Sequence, residues 1–244
     1  MKKTILVTGS SKGIGRATAE LFAENNYNVV INYLHSKEDA AALVLLLKKR
    51  GHSVMAYKAD VSNREQVEAM VDSCITRFGS IDILVNNAGI AQQKLFTEIT
   101  ADDWDNMMNV NVKGMFHCCQ CVLPYMITKK QGKIINISSI WGMTGASCEV
   151  HYSTAKAAVI GFTKALAREL GPSNIQVNCV APGIIATDMN ASLDECERTM
   201  LMQDTPLMRL GTPADIAHAI LYLASDKADF LTGQVLSPNG GFVI

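Results

Sequence analysis

Short apolar, β-branched runs alternate with longer segments of helical period along almost the whole chain. The runs fall at residues 5–7, 29–31, 54–57, 81–85, 133–137, 175–180 and 234–236. Between them the periodicity predicts helices over 14–24, 37–50, 64–78, 101–128, 152–170 and 213–223. Strands apolar on both faces and alternating with helices belong to a parallel sheet covered on both sides. Asn63 before Arg64-Glu65, and Thr100 before Asp102, Asp103 and Asp105, mark helix starts, while Gly51, Gly79 and Gly171 stand where helices should end. No linker, charge block or fixed-period repeat divides the chain. The pattern predicts one α/β domain over residues 1–244, a doubly wound parallel sheet of about seven strands. A β/α barrel shares this alternation, and the first strand-to-helix turn argues against it.

Composition narrows the function classes. The 244 residues are 48% hydrophobic, and 22 Lys+Arg against 23 Asp+Glu give a net charge of −1. That balance suits neither a nucleic-acid binder nor a polybasic membrane protein. The apolar run 40–47 is too short to span a bilayer, and Met1-Lys2-Lys3 leads into the first strand with no secretory pattern. Seven cysteines, an odd number, do not suggest a disulfide scaffold. The expectation is a soluble cytoplasmic protein.

The first turn reads Thr8-Gly9-Ser10-Ser11-Lys12-Gly13-Ile14-Gly15-Arg16. Glycines at a strand-to-helix junction let the backbone turn tightly and approach a pyrophosphate that the helix N-terminus attracts. The spacing differs from the standard dinucleotide fingerprint and from the magnesium-holding phosphate loop, and a merely tight connection is the alternative. The second strand runs into Asn32-Tyr33-Leu34-His35-Ser36-Lys37, without the acid that binds a ribose 2′-hydroxyl in NAD sites. Lys12, Arg16, Ser36 and Lys37 offer a 2′-phosphate charge-assisted hydrogen bonds, so the expected cofactor is NADP(H). Solvated surface cations are the alternative for Lys37.

Two serines, Ser138-Ser139, close the fifth strand, and Tyr152-Ser153-Thr154-Ala155-Lys156 follows at a helix start. Tyr152 and Lys156 are four apart and lie on one helix face. An ammonium beside a phenol favours the phenolate, and such a tyrosine exchanges a proton with a carbonyl oxygen or an alcohol. The pair alone is a weak signal.

Taken with Asn86-Asn87-Ala88-Gly89, Asn111, Ser139 and Pro182-Gly183, in this order, the chain resembles the short-chain dehydrogenase/reductase family from Lys3 to Gly240-Gly241. Within it, the chain is most similar to the 3-oxoacyl-[acyl-carrier-protein] reductases. The resemblance implies a Rossmann-type fold and a catalytic set of Asn111, Ser139, Tyr152 and Lys156. Tyr152 is the implied acid/base, Lys156 tunes it and holds the nicotinamide ribose, Ser139 orients the carbonyl, and Asn111 holds a relay water. The implied cofactor contacts are Gly9, Ser11, Lys12, Gly13, Ile14 and Gly15, then Asp60 and Val61 at the adenine, and Asn87, Ala88 and Gly89 under the ribose. Pro182, Gly183, Ile185 and Thr187 are the implied grip on the nicotinamide. No metal is expected. A homotetramer paired through the two long helices is implied as well.

One segment departs from this pattern. Trp141 to Val150 carries Glu149 and resembles a related group of reductases that act on a 5-aminopentanone attached to elongation factor P. A carboxylate near the pocket suits an ammonium-bearing substrate, and a solvated or helix-N-terminal Glu is the alternative. Ser173-Asn174 stand where carrier-protein reductases often have arginine, and Lys129 and Lys130 are either an acidic partner's contact or solvated caps. A polyol, sugar or steroid dehydrogenase, and a non-catalytic NADP-binding sensor, stay open. Cys118, Cys119 and Cys121 beside His117 suggest buried packing rather than zinc or redox chemistry. Residues 187–210, rich in methionine, read equally as a lid over the substrate or as a core helix.

Overall fold

A seven-stranded, all-parallel sheet organises the described residues, in the order β3-β2-β1-β4-β5-β6-β7. The strands are β1 (Thr4–Val7), β2 (Asn28–Tyr33), β3 (Val54–Lys58), β4 (Ile83–Asn86), β5 (Gly132–Ile137), β6 (Ile175–Val180) and β7 (Val235–Leu236). This is a computed structural model, and it describes residues 2–187 and 194–244. The expected doubly wound α/β architecture is therefore present.

Alternation along each strand divides the core between two faces. Leu6, Val30, Leu84, Ile134 and Val177 point to one side, where they meet α3 (Arg64–Phe78), α5 (Gly114–Lys129) and α7 (Val150–Leu170). Ile5, Val7, Val29, Ile31, Ile83 and Val85 point to the other, against α1 (Gly13–Glu24), α2 (Lys37–Lys49) and α9 (Pro213–Ala224). Both faces are covered, which is why the strands read as near-continuous apolar runs. The order reverses between β1 and β4, and the crevice outside the carboxyl ends of these strands is the usual ligand site of such a sheet.

The predicted helix over 101–128 is divided in the structure. It comprises α4 (Ala101–Met108), a π-helical turn at Asn109–Lys113, and α5. The cause is local. The Asn111 amide donates to the Met107 carbonyl at 3.0 Å and to the Ile90 carbonyl at 3.1 Å, so a side chain competes with the helical ladder for its acceptor. The predicted helix at 152 begins two residues earlier, at Val150, behind a single helical turn α6 (Trp141–Thr144).

Cys118, Cys119 and Cys121 are buried on the sheet-facing side of α5, and burial pushes the Cys119 thiol up to about 12. Packing is their role. Within 187–210 the structure shows α8 (Glu195–Gln203), capped by Asp194, with no buried residue and Met200 exposed. This overturns the core-helix alternative, while Met189 and Leu193 lie outside the described residues. Lys129 pairs with Asp82, whose carboxylate also accepts the Thr4 amide, so that lysine is tied into the fold. No helix among the described residues is long and apolar enough to cross a membrane.

Candidate active site

The glycine turn joins β1 to α1 at the sheet's carboxyl edge. Gly9 and Gly13 have φ of +60° and +53°, a region that side chains with a Cβ rarely adopt. A Cβ at Gly15 would lie 2.5 Å from the Gly9 carbonyl oxygen and 2.6 Å from Asn87 Nδ2, so close helix–strand approach requires glycine there too. No side chain caps α1, and its first turn holds no acid. Its N–H groups suit a phosphate anion.

Hydrogen bonds tie this turn to the next strand. Thr8 Oγ1 accepts from the Asn87 and Ala88 amides at 3.0 Å each. Asn87 Nδ2 returns two bonds of 2.9 Å, to the Thr8 and Gly9 carbonyls. Asn32 Oδ1 accepts the Gly9 amide at 3.0 Å, a supporting role that the sequence reading missed. An amide ending the second strand was its available signal. Asp60 accepts from the Ser62 amide and hydroxyl, which fixes the turn after β3, and buried Val61 follows.

The expected cation group is partly committed elsewhere. Lys12 Nζ meets Asp39 at 3.2 Å, and Arg16 Nε bonds Glu20 along its own helix at 3.0 Å. The Ser36 side chain makes no cap bond at the start of α2. The four-residue spacing of Arg16 and Glu20 on one helix is itself a sequence signal, while Asp39, on a separate element from Lys12, gave none.

The chemistry-bearing residues converge on a cleft of about 310 Å³. Its walls include all four expected catalytic side chains, Asn111, Ser139, Tyr152 and Lys156, together with Ile14, Asn87, Gly89, Pro182, Gly183, Ile185 and Thr187. Gly9, Ser11, Lys12, Gly13, Gly15, Asp60, Val61 and Ala88 are not among the lining residues and lie beyond the ends of β1, β3 and β4. Buried Tyr152 has the Lys156 ammonium 5.6 Å from its ring centroid. Burial pushes the phenol up to about 12, opposed by the Ser139 hydroxyl and helped by the charge of Glu149. Burial also pushes Lys156 down to about 8. Its Nζ donates to the Ile137 carbonyl at 3.1 Å. Ser138 Oγ donates to the Lys156 carbonyl at 2.7 Å and so fixes that helical turn on β5.

Asn111 completes the set from the opposite wall. Both amide hydrogens have acceptors, while its buried Oδ1 has no partner. A Cβ on Gly89 would lie 2.6 Å from that oxygen and 3.3 Å from Lys156 Nζ, so glycine keeps the space between them open. An unsatisfied acceptor beside a buried ammonium suits a water or a ligand hydroxyl.

Glu149 lines the cleft beside Tyr152, at the start of α7. It occupies the N-cap position of α7 yet caps nothing, and its carboxylate is buried with one hydrogen bond, from Gln93 Nε2 at 3.2 Å. Burial raises its pKa. The solvated alternative for this residue is thereby overturned. Gln92 and Gln93, just beyond the Asn87-Ala88-Gly89 stretch, also line the cleft and were not singled out from sequence.

Residues 9–243 match the family model described as enoyl-(acyl carrier protein) reductase. The chain is 46% identical over 242 residues to a 3-oxoacyl-[acyl-carrier-protein] reductase FabG of Staphylococcus aureus, covering 99% of this chain and 98% of that protein. The namesake enzyme of Thermotoga maritima is 42% identical over 242 residues with the same coverage, and that of Chlamydia trachomatis 42% over 241 residues, covering 99% and 97%. The chain belongs to the short-chain dehydrogenase/reductase family. A short-chain dehydrogenase/reductase is an oxidoreductase acting on a carbonyl or hydroxyl group with a nicotinamide cofactor, and this chain's residues fit that cofactor. The tight glycine turn and the uncapped N-terminus of α1 are the features such a molecule would occupy.

Proposed function

We propose that the chain is an NADPH-dependent ketone reductase, similar in role to 3-oxoacyl-[acyl-carrier-protein] reductase, with a carrier-bound 3-oxoacyl group as substrate. The observation that carries this reading is the meeting of Ser139, Tyr152, Lys156 and Asn111 in one cleft, in a chain 42–46% identical to FabG proteins over nearly its full length. The resemblance further supports one cytoplasmic domain working as a homotetramer.

Gly9, Ser11, Gly13, Ile14 and Gly15 would hold the pyrophosphate side of the cofactor, with Lys12 at its 2′-phosphate. Asp60 and Val61 would meet the adenine, and Asn87, Ala88 and Gly89 the adenosine ribose. Tyr152 and Lys156 would meet the nicotinamide ribose, and Pro182, Gly183, Ile185 and Thr187 the carboxamide. Bound NADPH supplies the hydride delivered to the ketone carbon. The Ser139 hydroxyl and the Tyr152 phenol hold the ketone oxygen, and Tyr152 gives its proton to that oxygen. The Lys156 ammonium stabilises the phenolate left behind. Asn111 Oδ1 would fix a water near Lys156, from which the phenol regains a proton. NADPH is preferred over NADH because no acid closes the second strand before Lys37. Acetoacetyl thioester reduction with each cofactor tests this, and a rate with NADPH at least about tenfold above NADH is expected, a difference of about 1.4 kcal/mol. Equal rates overturn the cofactor assignment.

A second reading is favoured by Glu149 alone. A buried carboxylate in the cleft wall, with no cation within an ion pair's reach among the described residues, suits a ketone bearing an ammonium, such as the 5-aminopentanone group on elongation factor P. Under this reading Glu149→Gln lowers kcat/KM for an amino ketone by about 10- to 100-fold, the worth of a charged hydrogen bond. Acetoacetyl thioester reduction, which feels Glu149 only through its charge on Tyr152, changes by less than about fivefold. Equal effects on both substrates reject the reading, as does an unchanged factor mass after deletion of the gene in an organism that carries the modification.

A further inference from the structure

Three consecutive residues after β4 hydrogen-bond to three of the four residues that precede Tyr152. His151 Nε2 and Gln92 Oε1 are 2.9 Å apart, Gln93 Nε2 donates to Glu149 at 3.2 Å, and the Lys94 amide donates to the Cys148 carbonyl at 2.7 Å. Cys148 has φ of +61°, a conformation that persists in a non-glycine residue when its neighbours impose it. The same short segment also binds the start of α4. Gln92 Nε2 and Lys94 Nζ both donate to Asp103, at 3.0 and 2.7 Å, and Asp103 also accepts the Thr100 amide at the start of α4. The Ile90 carbonyl takes the Asn111 amide.

These bonds determine one another's direction. The Asp103 carboxylate only accepts, since its hydrogen bonds hold its pKa far below the ordinary range, so the Gln92 amide nitrogen faces it. Gln92 Oε1 therefore faces His151, and Nε2 of that imidazole carries the proton. His151 is fully buried, and its Nδ1 has no partner. One bond to Gln92 is thus all that satisfies this ring, and burial keeps it neutral by lowering its pKa.

We propose that Gln92 and His151 are positioning residues of the reductase, which together hold the start of α7, and with it Tyr152 and Glu149, in register with Asn111 on the facing wall. The inference rests on Tyr152 as proton donor. A small displacement of a reacting group costs up to about 100-fold in rate, which is the scale on which such a clamp acts.

The test compares kcat, KM and NADPH affinity in four variants. His151→Leu and Gln92→Leu are each expected to lower kcat for ketone reduction by about 10- to 100-fold while NADPH affinity changes by less than about twofold. Together they lose no more than Gln92→Leu alone, because that substitution already breaks the bond to His151 as well as the one to Asp103. His151→Gln, whose amide nitrogen can stand where Nε2 does and which strands no second nitrogen, recovers most of the rate. Gln92→Leu alters a half-buried residue and keeps the test sound if His151→Leu does not fold. Unchanged kcat in the leucine variants, additive losses, or equal losses in His151→Gln and His151→Leu overturn the proposal. Tyr152→Phe separates the two ideas: turnover retained there overturns the proton-donor reading itself, whatever the clamp variants do.

Discussion

Tyr152→Phe is expected to lower ketone reduction by about 100- to 10,000-fold, the range that a positioned proton donor contributes. The substitution removes one oxygen and leaves the ring, so the packing against Ala155 and Met107 is kept. NADPH binding should therefore weaken by no more than about tenfold, the worth of the one ribose hydrogen bond removed, and fluorescence titration of the cofactor alongside single-turnover kinetics reads both quantities. Turnover at the parental rate would remove Tyr152 from the mechanism.

The same residue pair sets the expected pH dependence. With its phenol up at about 12, Tyr152 carries its proton throughout the neutral range, ready to give it away. Lys156, held down to about 8, loses its charge as pH rises through that value. The cation favours the phenolate that forms as the proton leaves, so the reduction rate is expected to be full below about pH 8 and to fall above it. A profile that rises through this region instead would contradict the role given to Lys156.

Gly15→Ala is expected to weaken NADPH binding by about 100-fold, because overpacking costs about 1–3 kcal/mol and here strikes the cofactor cradle. Its new methyl would lie 2.5 Å from the Gly9 carbonyl oxygen and 2.8 Å from Ser10 Cα, both backbone atoms that cannot step aside singly. The turn must open, and the spacing between α1 and the ends of β1 and β4 opens with it. Gly161→Ala is the control: a Cβ on that helical glycine meets nothing within 4 Å, so affinity and fold are unaffected. Wild-type affinity in Gly15→Ala would mean that the turn is only a tight connection.

The strands were legible in sequence because a sheet covered on both faces makes each of them apolar throughout, as in Ile5-Leu6-Val7. The glycine turn and the Tyr152–Lys156 pair were legible because each is local, one a run of nine residues and the other a single helical turn. What escaped depends on neighbours distant in the chain. Lys12 reads as a phosphate ligand until Asp39 on α2 is seen beside it. For Glu149 the sequence leaves a pocket carboxylate and a solvated or helix-N-terminal acid both open, and the loop carrying Gln93, which covers it, removes the solvated one. The division of the helix over 101–128 follows from an Asn side chain finding the Ile90 carbonyl on another segment, which no periodicity records.

That π-helical turn at Asn109–Lys113 has a consequence for how this site is lost or kept in descent. A π turn accommodates one residue more than the regular helix around it. Deleting a single residue there would let α4 and α5 fuse into an unbroken α-helix, while the buried cysteines and Met126 downstream keep their seats against the sheet. The fold would survive such a deletion. The Asn111 oxygen would turn away from Lys156, leaving a well-packed protein without the water site proposed for the relay. One codon therefore separates a working reductase from a stable dinucleotide-binding shell, and the helix carries that frame with no reserve.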